Sequence, residues 1–132
     1  MLCHTDMHGD NLVLDQHGKL HVIDWESPLL APAEHDLMFY TDDRFDLFLD
    51  HYEQVRGSLS LDSQLFGFYF YRRNLEDLAA WLERILYENT GEGQNEIDLA
   101  AVQNDSIGGW PQLEWRIKRV EDVLANRKRL SG

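Results

Sequence analysis

The reading of the fold turns on His4-Thr5-Asp6-Met7-His8-Gly9-Asp10-Asn11-Leu12-Val13-Leu14-Asp15 together with Lys19-Leu20-His21-Val22-Ile23-Asp24. The two flanks Asn11–Asp15 and Lys19–Asp24 are short and rich in β-forming residues, with Gln16-His17-Gly18 between them. A two-residue loop at His17-Gly18 suits a hairpin, because Gly takes positive φ freely and His tolerates it. That loop predicts Gln16 opposite Lys19, and therefore Leu12 opposite Ile23, Val13 opposite Val22 and Asn11 opposite Asp24. Two polar residues then meet at the open end of an apolar hairpin, next to the polar loop 4–11.

Downstream, Trp25–His35 carries two of the three prolines and reads as an irregular connector. Asp36 opens helical structure as a cap or first-turn acid. A helix over about 43–55 places Phe45, Phe48, Leu49 and Tyr52 on one face, and Arg56-Gly57-Ser58 ends it. The longest helical signal runs from near Asp62 to about Glu88, with Leu75, Leu78, Ala79, Leu82, Ile85 and Leu86 at helical spacing. Residues 89–95 hold two glycines and predict a loop, and 96–105 a short helix. Pro111 suits the first turn of a last helix whose Leu113, Ile117, Val120 and Leu124 form a stripe, with Arg127, Lys128 and Arg129 complementing its dipole. The expected fold class is α+β, a short β-hairpin plus a mostly helical bundle, as one domain over residues 1–132.

The 132 residues carry a net charge of −12, and 43% of them are hydrophobic, enough for a packed core. The charge is uneven: residues 1–66 hold three basic and thirteen acidic side chains, and residues 67–132 nine and eleven. A surface this acidic repels polyanions, which argues against nucleic acid or an anionic membrane as partner and favours cationic ligands and divalent metals. Cys3 is the only cysteine, so no intramolecular disulfide forms and a reducing, cytoplasmic setting is expected. The longest apolar aromatic stretch, Leu65–Tyr71, falls far short of the roughly 18–20 residues that cross a bilayer, and no leader follows Met1.

The spacing His-x-Asp-x4-Asn, followed by an Asp at the far end of a hairpin, is that of the protein-kinase catalytic template. Phosphoryl transfer needs a carboxylate to orient and deprotonate an attacking hydroxyl, and oxygen ligands to hold Mg²⁺ on the phosphates. Asp6 suits the first task, and Asn11 with Asp24 the second.

The loop resembles that of the aminoglycoside phosphotransferase and choline kinase family, typically His-Gly-Asp-x-His-x-x-Asn, with Thr5 here in place of the usual Gly. Ile23-Asp24-Trp25-Glu26 looks like the family's metal-binding segment, and Ala31–Phe39 like the segment with its structural Asp. Together, Leu-Cys-His-Thr-Asp, Ile-Asp-Trp-Glu, Leu-Ala-Pro and Asp-Leu-Met-Phe look closest to the spectinomycin phosphotransferase-like subgroup. Tyr71-Arg72-Arg73 with Glu76-Asp77 fits that subgroup's helical region less specifically. The resemblance implies a protein-kinase-like C-terminal lobe, with catalytic loop, metal-binding hairpin and connector over 1–39 and helices over 40–132. It implies catalytic roles for Asp6 and His4, and Mg²⁺ and ATP binding by Asn11 and Asp24. His8 reads as a contact to the substrate or to the catalytic loop, or equally as a structural hydrogen bond. The implied reaction moves the γ-phosphoryl group of ATP to a hydroxyl of a small, cationic metabolite or antibiotic.

Complete family members carry an N-terminal lobe with a nucleotide-covering loop and a phosphate-binding Lys, and none of Lys19, Lys118 and Lys128 has such a context. The chain alone is therefore expected neither to bind ATP tightly nor to transfer phosphate. Association with a separate N-terminal lobe, or self-association through apolar residues among Leu2, Leu12, Val13, Leu14, Val22 and Ile23, is expected instead. Two other classes fit the residues. A non-catalytic interaction module could keep the same motif. In a metallohydrolase, His4, Asp6, His8 and Asp10 would chelate Zn²⁺ or Mn²⁺, but Asn11 is a poor zinc ligand. Asp36 reads as a structural acid bonding nearby backbone, Cys3 as a buried strand residue, Trp25 as packing, and Asp42, Asp43, Asp46 and Asp50 as a solvated helix face or, as the second reading, the lining of a cleft for a cationic substrate.

Overall fold

The computed structural model describes residues 1–88 and 91–131. Strands β2 (Leu12–Leu14) and β3 (Leu20–Val22) pair antiparallel, with β1 (Leu2–Cys3) before them and β4 (Leu29–Leu30) after. The hairpin forms where expected, but one residue out of the expected register: Leu12 faces Val22, Val13 faces His21 and Leu14 faces Leu20. Asp15 is the reason. Its Oδ1 accepts from the backbone N–H of His17 at 2.8 Å and of Lys19 at 2.9 Å, and its own N–H donates to the Lys19 carbonyl. The loop is thus three residues long, with Gly18 at φ +75° as the residue that must turn left-handed. Asn11 consequently pairs with Ile23, whose N–H donates to the Asn11 carbonyl at 3.0 Å, and Asp24 lies one residue beyond.

The connector is not wholly irregular. β4 pairs antiparallel with β1, Leu2 opposite Leu30 and Cys3 opposite Leu29, and the Met1 amino group donates to the Ala31 carbonyl at 2.7 Å. Two-residue strands carry no period to read, so the sequence shows only a proline-rich link. Cys3 is fully buried, as expected. Several apolar side chains of these two small sheets stay exposed, among them Leu2, Leu14, Leu20 and Leu30.

The helical part comprises α1 (Glu34–Leu37), a 3₁₀ turn (Met38–Tyr40), α2 (Phe45–Arg56), α3 (Ser63–Glu83), α4 (Glu92–Ala101) and α5 (Trp110–Ser131). π-helical turns follow α3 (Arg84–Glu88) and α4 (Val102–Ile107). Of the loop expected over 89–95, residues 89 and 90 lie outside the described residues, and the chain is helical from Glu92. Asp62 caps α3 through a bond from the Gln64 N–H, while its own N–H donates to the buried Glu34 carboxylate at 2.9 Å. That bond ties the start of α3 to α1. Any side chain at Gly109 would clash with the Asp105 carbonyl, so glycine lets the second π turn run into α5.

Phe45 and Leu49 of α2, Phe66, Tyr69 and Phe70 of α3, and Leu113, Val120 and Leu124 of α5 form the core, with Leu37, Met38 and Leu61. The α2 and α5 stripes are those the spacing predicts. The α3 stripe is not: Leu75, Leu82 and Leu86 are 55%, 37% and 66% exposed. α5 covers the first half of α3, with Gly67 against Ile117 and Arg116 over the Phe70 ring. Farther along, α3 and the π turn after it meet their neighbours through polar bonds, Asn74 accepting from Ser106 and Trp110, and Arg84 donating to Asp98. No helix among the described residues is long and apolar enough to cross a membrane.

Candidate active site

The loop after β1 is suspended from α1. Asp36 accepts the His4 N–H on Oδ2 and the Thr5 N–H on Oδ1, each at 2.8 Å. Its structural role is therefore as expected, although the backbone it bonds lies some thirty residues earlier in the chain. Thr5 sits at φ +78°, a costly conformation for a β-branched residue, and its hydroxyl donates to the Ser27 carbonyl at 3.1 Å.

His4 is 2% exposed. Its Nδ1 accepts the Asp6 N–H at 3.3 Å, so the ring proton sits on Nε2, which donates to the Ile23 carbonyl at 2.8 Å. With both nitrogens engaged, His4 links the loop to the hairpin rather than facing solvent, and Trp25 packs against it edge-on at 4.6 Å. His8 repeats the arrangement. Its Nδ1 accepts the Asp10 N–H, capping the 3₁₀ turn Gly9–Asn11, which leaves Nε2–H to donate to Asp6 Oδ2 at 3.1 Å. The buried Asn11 donates through Nδ2 to the Asp6 carbonyl at 2.8 Å and to Asp6 Oδ2 at 3.3 Å.

Asp6 is thus held on one oxygen by its own loop. The other oxygen, Oδ1, accepts from Arg73 Nη1 of α3 at 2.7 Å, and Arg73 Nε in turn bonds Asp77. Burial works against the Arg73 charge, but Asp77 and then Asp6 outweigh it and hold the guanidinium above its ordinary pKa. Sequence reasoning missed Arg73 as a site residue. The sequence marks only the local pairing, Arg72 and Arg73 each four residues before an acid, Glu76 and Asp77, and carries no sign of the bond to Asp6.

The structure brings Asp6, His4, His8 and Asn11 together. It does not pair Asn11 with Asp24, as the register shift requires; the two are connected through Ile23. Asp24 is exposed at φ +65°, and its carboxylate bonds none of the described residues. Thr5 and Asp24 are the two non-glycine residues with positive φ among those described, and both belong to the candidate site. The acidic residues of α2 face a cation of the chain itself: Asp46, Asp50 and Glu53 surround Arg127 of α5. A cleft of about 780 Å³ lies there too, between α2 and the end of α5, and no residue of the Asp6 site lines it. Among the described residues no group of three His, Cys, Asp or Glu is placed to hold a metal ion, so His4, Asp6, His8 and Asp10 do not assemble as a chelating set. Compared with models of protein families, with curated proteins and with solved structures, the chain matches none.

Proposed function

We propose that the loop 4–11 and the hairpin leading to Asp24 form the transfer site of a kinase-like, ATP-dependent O-phosphotransferase of the aminoglycoside phosphotransferase and choline kinase type. The observation that carries this reading is the fixing of the Asp6 carboxylate by Asn11, His8 and Arg73 while it keeps solvent access, at a side-chain exposure of 37%. A carboxylate so oriented can align an acceptor hydroxyl and take its proton, and phosphoryl transfer is mostly positioning and charge stabilisation. The backbone at Thr5 supports the same reading. It adopts the left-handed conformation at the position where the resembled loop has Gly, which takes that conformation at no steric cost.

The donor set suits a hard cation. Asn11 spends its amide nitrogen on Asp6, which leaves its Oδ1 as the ligand end, and Asp24 offers an unbonded carboxylate; amide and carboxylate oxygens are the donors Mg²⁺ takes. These two residues would hold Mg²⁺, whose charge would neutralise the phosphates of bound ATP. His4 acts from behind the loop as a positioning residue, and His8 orients Asp6 rather than the acceptor. The net charge of −12 favours a small cationic acceptor.

The test is transfer of label from γ-³²P-ATP with Mg²⁺ to a panel of amino sugars and amino alcohols, in a protein that joins this chain to a nucleotide-binding lobe. Asp6→Asn and Asp24→Ala are each expected to lower turnover by about 10²–10⁴-fold. Undiminished turnover in either variant removes that residue from the site.

A further inference from the structure

We infer that Arg73 is the positioning residue for Asp6, fixing from α3 the side on which an acceptor hydroxyl meets the carboxylate; the inference rests on the phosphotransfer reading of the site. Among the described residues, every other donor to the Asp6 side chain comes from its own loop, whereas Arg73 lies 67 residues away. The terminal torsion of an Asp side chain is broad, so two donors on Oδ2 leave the carboxylate plane free to swing. Arg73 on Oδ1 removes that freedom. Asp77, one turn farther along α3, holds the guanidinium in place through Nε, and a planar fork can serve both acids where a single ammonium cannot.

Stability does not account for this arrangement. Both partners are more than a third exposed, and ion pairs so exposed to water contribute little to folding. The chemistry does account for it. A carboxylate offers about four lone-pair sites, and His8, Asn11 and Arg73 occupy three. The remaining site is on Oδ1, beside Arg73, so a hydroxyl donating to Asp6 lies against the guanidinium. A direction so fixed suits a loose transfer, in which orientation comes first and the proton leaves late. The hydroxyl oxygen bonds to the γ-phosphorus, the bridging P–O bond breaks with its electron pair leaving on ADP, and the hydroxyl proton passes to Asp6 Oδ1.

Two measurements test it. In ¹⁵N spectra of the arginine side chains of this chain, Asp6→Asn should shift the Arg73 guanidinium signals and leave those of Arg84, paired with Asp98, in place. Arg73 signals that do not move overturn the inference, and this readout needs no variant at Arg73 and no activity. In the transfer assay, Arg73→Gln should lower kcat by about 10–100-fold with KM for ATP little changed, the size expected of a misplaced reacting group, and Arg73→Lys should restore part of it. An unchanged kcat in Arg73→Gln, or a loss confined to KM, overturns the positioning role. Full turnover in Asp6→Asn sinks the phosphotransfer reading instead, and takes the inference down by a separate route.

Discussion

The loop and hairpin region, residues 1–39, and the helical body from Phe45 onward hold their shapes by different physics. In the body, Phe45, Phe66, Phe70, Val120 and Leu124 bury apolar surface against one another, and the polar links, such as Arg116 to the Met38 carbonyl and Thr41, sit around that core. In the loop region the hairpin buries little, and position is set by directional bonds: Asp36 to two backbone amides, His4 to Ile23, Asn11 and Arg73 to Asp6. Apolar packing is tolerant of small shifts in direction but costly to hollow out. A hydrogen-bonded loop is cheap to perturb in global stability and exact in where it points its groups. The candidate site lies in the second kind of structure and is fastened to the first at Asp36 and Arg73.

Substitutions at three positions break or sharpen that contrast. Phe66→Ala hollows the body and should lower global stability by about 3–5 kcal/mol, read as a shift of the urea midpoint. A loss below about 1 kcal/mol would show that the aromatic cluster is not where stability resides. Asp36→Ala leaves the His4 and Thr5 amides without their acceptor, a local cost of about 1–3 kcal/mol. Amide hydrogen exchange should quicken at residues 4–6 much more than in α5; equal acceleration in both would mean the two regions open as one unit. The smallest effect is at Thr5. Thr5→Gly should be more stable than Thr5→Ala by about 0.5–1 kcal/mol, the reverse of the usual order, because only glycine relieves the left-handed strain. Alanine matching or exceeding glycine would show that Thr5 carries no strain.

The helices were legible because their apolar residues repeat: Phe45, Phe48, Leu49 and Tyr52 announce α2, and Leu113, Ile117, Val120 and Leu124 announce α5. Periodicity says which face is apolar, not what covers it, and so Leu75 and Leu82 share the helical spacing yet stay exposed where α5 no longer lies beside α3. The hairpin was legible, but its register depended on a side chain: Asp15 accepting two amides makes a three-residue loop out of a sequence that also suits a two-residue one. The candidate site was readable as a spacing from His4 to Asn11, since its contacts are local. Arg73 was not, because nothing in a helix sequence tells which distant carboxylate an arginine on its surface will meet.

The fastenings of the loop also set an order in time. Asp36 reaches back 31 and 32 residues, His4 reaches forward 19, and Arg73 closes a span of 67. Each closure costs chain entropy before any bond rewards it, and that cost grows with the span. Helices nucleate locally and can assemble α2, α3 and α5 first, so Asp6 acquires its final orientation only when Arg73 has arrived on a docked α3. The carboxylate at the centre of the site is therefore expected among the last groups to find its place when the chain folds, and among the first to lose it.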